Sequence, residues 1–168
     1  MYQLRSHRSF VSYIDRSREY YTAQGYDKPY EWAHYNDVPF TPLTKPLSES
    51  RVGLMTTAEK PKPSGAVSLE ILIQREIYAE PSHPPPQSLF TDILSWDKEA
   101  THTKDINSFL PINQLNEYVS SGRIGSPSAR YYGVPTDYSK SKTLNRYAPQ
   151  ILEWCREDDV DAVILTAL

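Results

Sequence analysis

The chain has 168 residues, with 18 Lys+Arg against 21 Asp+Glu, a net charge of −3 and 39% hydrophobic residues. That is enough for one domain with a real core, and it leaves no basic footprint for nucleic acid or for an anionic membrane. A single cysteine, Cys155, excludes an internal disulfide framework and a cysteine-built zinc site within these residues.

The opening MYQLRSHRSF lacks the apolar core of a signal peptide, and no apolar run reaches membrane-spanning length. The reducing cytoplasm is the expected compartment. The first expected element is a helix in SFVSYIDRSREYYTAQG. Phe10, Tyr13, Ile14, Ser17 and Tyr20/Tyr21 recur at helical spacing, with Ser9 as cap and Gly25 as terminator. Tyr26 to Ser50 follows with four prolines, five aromatics and no period, and reads as an extended arm. RVGLMTT, Arg51 to Thr57, is the first core strand.

After the KPKPSG loop, the apolar run Leu69–Ile73 fits strand or helix, and Glu76 to Ala79 looks extended. SHPPPQS is a rigid proline connector. A strand is expected over Asp92 to Trp96. Next comes a helix with Pro111 at its start, Ile112, Leu115 and Val119 on one face, and Gly122 as its C-terminal cap. SARYYGVPTDY is a loop or short strand. A long helical segment follows, SKSKTLNRYAPQILEWCRED, with Leu144, Ala148, Ile151, Leu152 and Cys155 on one stripe and a kink or restart at Pro149. A tight turn at Asp158–Asp159 leads into a last strand, Ala162 to Leu168, that reads as buried. A helix followed by an unbroken apolar strand argues for a parallel sheet covered on both faces. There are no internal repeats.

Candidate chemistry is sparse. There is no GxGxxG and no Walker motif, so no cofactor is expected from a fingerprint. His7, His34 and His83 are too dispersed to suggest a metal cluster. In an open parallel sheet, ligands bind beyond the carboxyl ends of the strands. Thr57 and Thr166 stand at two such ends, where a hydroxyl binds a substrate carboxylate or closes a local backbone group. His102 lies three residues before Asp105, a spacing that suits an oriented acid–base imidazole, or equally a capped helix start. Arg130, Tyr131 and Tyr132 fit the wall of a small-anion pocket or the edge of the core. Cys155, on an apolar helix stripe, reads as a redox thiol or as a small buried hydrophobe.

Several segments are similar in order and spacing to one family. YIDRSREYYTAQGYDKPYEWAH, PFTPLTKPLSESRVGLMTTA, DINSFLPINQLNEYVSSGRIG, ARYYGVPTDY and APQILEWCREDDVDAVILTAL resemble the glycine/sarcosine/betaine/D-proline reductases of the selenoprotein B type, in particular their short bacterial members. KPLSESRV, SGRIG and YGVPTDY carry most of the resemblance, which runs from about Tyr13 to Leu168 and is weakest over 60–86. The resemblance implies reductive cleavage of a carbon–nitrogen bond beside a carboxylate, with electrons from thiols. It also implies a Cys or selenocysteine, two residues and a Cys straight after the strand matching VDAVILTAL. No such motif stands in these residues. The expectation is that the reactive residue lies beyond Leu168, the end being a UGA codon for selenocysteine, a cloning boundary or a true terminus.

The expected fold is α/β, a mostly parallel sheet with covering helices. It is incomplete at its C-terminal end and carries the N-terminal helix and proline- and aromatic-rich arm. The expected division is 1–50 for helix and arm and 51–168 for the α/β domain. The expected function is the N-terminal part of a selenol- or thiol-dependent reductase. Thr57, His102, Asp105 and Thr166 would bind a small-molecule substrate, and the partner would be a thiol electron donor or a reductase subunit. The alternative is a non-catalytic interaction or substrate-binding subunit of such a reductase. A third reading is an enzyme using His102 and Asp105 without sulfur.

Overall fold

The computed structural model describes residues 12–26, 36–37, 41–61, 76–91 and 103–168. The features expected at Ser9, Phe10, Leu69–Ile73, Asp92–Trp96 and His102 lie outside them, as do His7 and His34. The chain divides into two compact units, 1–41 and 42–168. The first holds helix α1, Ser12–Ala23, with Arg18 paired to Asp15 at 3.4 Å one turn before it. It stops where the sequence predicts. Gly25 takes φ +86°, and the Gly25 and Tyr26 amides donate back to the carbonyls of Thr22 and Tyr21.

Residues 42–50 fold with the second unit: Gly125 donates its amide toward the carbonyls of Leu47 and Ser50. The sheet is built on β1, Arg51–Thr56. The later strands are β2 (Tyr78–Pro81), β3 (Ser126–Pro127), β4 (Arg130–Gly133) and β5 (Ala162–Thr166). β5 runs parallel to β1 along its length, from Val52↔Ala162 to Thr56↔Thr166. A strand has two edges, and β5 occupies one of them. β3 and β4 therefore share the other, β3 beside Arg51 and Val52 and β4 beside Met55 and Thr56, both parallel. β2 closes that side antiparallel to β4. The five-stranded sheet is thus mixed, with β2 the exception to parallel pairing.

Side chains alternate across the sheet, so adjacent residues feed different cores. Val52, Leu54 and Tyr131 pack on one face with Ile112 and Leu115 of helix α2, Ile112–Ser120. Full burial of such side chains stabilises by roughly 1.5–3 kcal/mol each. Met55, Tyr132 and Val163 pack on the other face with Ile151 and Cys155 of the last helix. α2 ends as predicted: Gly122 at φ +72° lets its own amide and that of Arg123 reach the carbonyls of Val119 and Tyr118.

The last helical segment differs from its sequence reading. It starts as α3, Lys140–Lys142, passes through a π-helical turn, Thr143–Tyr147, and continues as α4, Ala148–Glu157. The π turn takes an extra residue, so Leu144 falls off the stripe and is exposed, and Tyr147 is buried instead. Ala148 is exposed as well, and so is Leu152, about 100° around the helix from buried Ile151. Pro149 sits in the first turn of α4, where a missing N–H costs nothing. β5 also departs from its reading. Its apolar composition predicted burial on both faces, but among the described residues it pairs with β1 alone, and Ile164 and Leu165 are 44% and 68% exposed.

Candidate functional site

Three of the four candidate residues come together at the carboxyl edge of the sheet. The Thr166 hydroxyl lies 2.6 Å from the Phe109 carbonyl and 3.0 Å from that of Met55. It has one proton and donates to one of them at a time. Phe109 closes the short 3-10 turn Ile106–Ser108, which Asp105 caps by accepting from the Asn107 amide at 3.1 Å. Across the β1–β5 pair, Thr57 accepts from the Leu168 amide at 2.9 Å, and its hydroxyl reaches the Leu168 carbonyl at 3.3 Å. Each candidate side chain is thus engaged with local backbone. The strand tips and the turn lock together, and a ligand approaching them would meet a rigid rim. His102 lies outside the described residues, so its pairing with Asp105 has no geometry here.

A cleft of about 180 Å³ opens beside that turn, with Lys104, Asp105, Asn107 and Asn113 on one side and Pro85 and Pro86 on the other. The Asn113 backbone amide donates to the Asn107 side-chain oxygen at 3.2 Å. A cation, a carboxylate and two amides in so small a volume suit a small polar molecule bearing both charges. Across Pro86 lies a wider groove of about 500 Å³, lined by Lys60, Glu80, Leu89 and Tyr131. Lys60 and Glu80 are paired, the ammonium also resting over the Tyr78 ring at 5.2 Å. Burial pushes the Tyr131 phenol up to about 12, helped by Glu80. Among the described residues no group of three His, Cys, Asp or Glu could hold a metal ion.

The densest polar network lies at the opposite, amino edge. Arg130, the first residue of β4, donates from Nε to both Asp158 oxygens at 3.1 and 2.9 Å and from a terminal nitrogen to Glu157 at 2.8 Å. Tyr132, fully buried, donates its hydroxyl to Asp158 at 2.7 Å and stands 3.2 Å from the Ser128 hydroxyl. Burial alone would raise the Asp158 carboxyl, but the Arg130 and Tyr132 hydrogen bonds win and hold it below its ordinary value. Burial first, then the bond to Asp158, drives the Tyr132 phenol upward against the Ser128 contact, which lowers it. The small-anion pocket suggested for Arg130, Tyr131 and Tyr132 does not form: Arg130 and Tyr132 meet the protein's own carboxylates, and Tyr131 lies on the other face of the sheet. That edge is also the wrong end of the sheet for a ligand. Arg130 is recruited to clamp α4 to β4.

Cys155 is buried in the same region, and burial raises its thiol above the ordinary cysteine value. A thiol held protonated is a poor nucleophile. Sequence reasoning missed Ser128 and Asp158 as partners of Tyr132. The only signal was an acidic cluster, Glu157-Asp158-Asp159, after a helix. Acidic residues are unfavourable at a helix C-terminus unless a cation meets them.

No helix among the described residues is long and apolar enough to cross a membrane. No family model matches this chain, and no curated protein or solved structure matches it either.

Proposed function

We propose that the chain is the N-terminal, substrate-binding part of a selenol- or thiol-dependent reductase resembling the glycine/sarcosine/betaine/D-proline reductases. Its substrate is a small molecule with a carboxylate and an amine. The reading rests on the sequence segments quoted above. One structural observation supports it: β1 and β5 run parallel, and Thr166 at the tip of β5 bonds the Phe109 carbonyl at the end of the turn whose Asp105 and Asn107, with Lys104 and Asn113, line a small cleft. Substrates of α/β sheets bind in that position. Lys104 suits the carboxylate and Asp105 the ammonium.

The chemistry needs a sulfur or selenium anion that attacks the carbon beside the carboxylate. The carbon–nitrogen bond breaks, the amine leaves with a proton, and a thiol donor reduces the adduct. Cys155 is a poor source of that anion, because it is buried and its burial raises the thiol. The resemblance implies that the reactive residue comes straight after the strand matching VDAVILTAL, in polypeptide outside these 168 residues. A selenol or thiol following a strand tip and preceding a helix would have its anion stabilised by the helix N-terminus.

The second reading, a non-catalytic subunit that docks on a reductase, draws on the exposed Ile164 and Leu165 of β5. Sequencing the coding strand past the Leu168 codon separates the two. A TGA followed in frame by a Cys-bearing motif and a further α/β segment supports the reductase. A TAA or TAG with no continuing frame sinks it and leaves the docking subunit.

A further inference from the structure

Three core tyrosines have their hydroxyls met by the protein. Tyr78 donates to the Ala58 carbonyl at 2.7 Å, Tyr132 to Asp158 at 2.7 Å and Tyr147 to Asp137 at 2.8 Å. Tyr131 differs. It is 3% exposed, yet among the described residues its hydroxyl has no hydrogen-bond partner. A buried hydroxyl left alone is costly, and it marks a place where another molecule can supply the bond.

Tyr131 stands opposite Glu80 in the β2–β4 pair, and cross-strand partners point to the same face. Its ring is held edge-on to Tyr78, with 6.0 Å between centroids. Tyr131 and Glu80 both line the groove of about 500 Å³. Burial first and the Glu80 carboxylate second push the phenol up to about 12, so its oxygen lies toward Glu80 and stays a neutral donor below that pH.

The rest of the wall is apolar and rigid. Pro61, Pro81, Pro84 and Pro86 bring rings without N–H groups, and buried Leu89 adds apolar surface. Proline has almost no side-chain freedom to lose, so this wall is formed before anything binds. The charges cancel: Lys60 is paired with Glu80, and its ammonium also rests over the Tyr78 ring. A donor group on a ligand finds Glu80 taken. An acceptor finds the Tyr131 proton free.

We propose that this groove is a further binding site, for a small neutral aromatic molecule whose carbonyl oxygen accepts the hydrogen bond of Tyr131. The aromatic ring packs flat against the prolines and Leu89. The volume is that of a site for one small ligand, mostly apolar with a few placed polar groups. A charged ligand would have to compete with Lys60 or Glu80 for its partner. The groove lies across Pro86 from the cleft beside Asp105, and the proposal stands whether or not the reductase reading holds.

The test titrates acetanilide into the 168-residue chain, followed by protein-observed NMR. A roughly millimolar dissociation constant is expected for a ligand of about ten non-hydrogen atoms. Tyr131→Phe removes the hydroxyl alone. It should weaken acetanilide about three- to tenfold. It should leave N-ethylaniline, the same skeleton without the carbonyl, unchanged. Its melting temperature should stay within about 2 °C of the parent, because no internal bond is lost. Should that variant misfold, Ser88→Trp decides: exposed Ser88 lines the groove, and the indole should fill it and abolish binding with Tyr131 in place. No binding of acetanilide up to about 20 mM overturns the proposal. So does binding that neither variant weakens, or an equal loss of both ligands in Tyr131→Phe. A fall of more than about 4 °C in folded Tyr131→Phe would show the hydroxyl bonded within the protein, and overturns it as well.

Discussion

Replacing Asp158 by Ala tests whether the amino-edge network holds α4 on the sheet. Asp158 is 10% exposed at its side chain and Arg130 28%, so the pair is mostly screened from water. The substitution strands the Tyr132 hydroxyl with Ser128 alone and leaves Arg130 with Glu157 and the Trp154 carbonyl. Removing one partner of a charged, largely buried hydrogen-bonded pair costs about 3–5 kcal/mol, and a hydrogen bond to a charged group about 1.5–3. Arg130 keeps some solvent and a second carboxylate, so the loss should fall near 3 kcal/mol. At a urea slope of about 2 kcal/mol per molar, the midpoint drops by about 1.5 M. Trp154, stacked on Tyr132 at 6.5 Å between ring centroids, gives a local fluorescence readout.

A double-mutant cycle with Tyr132→Phe should return a coupling of about 1 kcal/mol. Asp158 is held below its ordinary value, so its contribution is present above the unfolded carboxylate range and is lost as pH falls through the folded value. The melting temperature should therefore be flat from neutrality to about pH 5 and fall below about pH 4, more steeply than in Asp158→Asn. A loss under about 1 kcal/mol in Asp158→Ala, or no coupling with Tyr132, refutes the clamp.

Three further outcomes follow from local geometry. Asp159 holds φ +51° at the end of α4, with its amide and that of Val160 bonded to the carbonyls of Arg156 and Cys155. Asp159→Gly relieves that conformation and should stabilise by about 0.5–1 kcal/mol, because the 3.7 Å contact to Arg51 is too exposed to offset it. Denaturant midpoints check this. A destabilised Asp159→Gly would show the Arg51 contact to be the stronger term. Cys155 should react with an aromatic disulfide reagent about 100-fold more slowly in the native chain than in urea, since burial keeps it protonated. Equal rates would contradict its burial. Thr166→Val removes the bond to the Phe109 carbonyl and should cost about 1 kcal/mol, read by thermal unfolding. If stability is untouched while ligand binding fails, the hydroxyl serves a substrate instead of the rim.

Local sequence was enough for elements whose cause is local. β1 could be read from an apolar run, α2 from its pattern and from Pro111 and Gly122, and the turn into β5 from Asp158–Asp159, because propensity, capping and glycine conformation act within a few residues. The same applies to Thr57 and Thr166, which stand at strand ends. Tertiary structure alone decided the rest. Whether an apolar strand lies at the centre or the margin depends on how many neighbours it finds, and among the described residues Ala162 to Thr166 pair with β1 alone. The inward face of the last helix depends on a π turn that fits Tyr147 into the core. Arg130 and Asp158 are 28 residues apart in sequence and became partners when α4 folded back over the sheet. Long-range pairing of this kind is set by packing geometry, and no short stretch of residues encodes it.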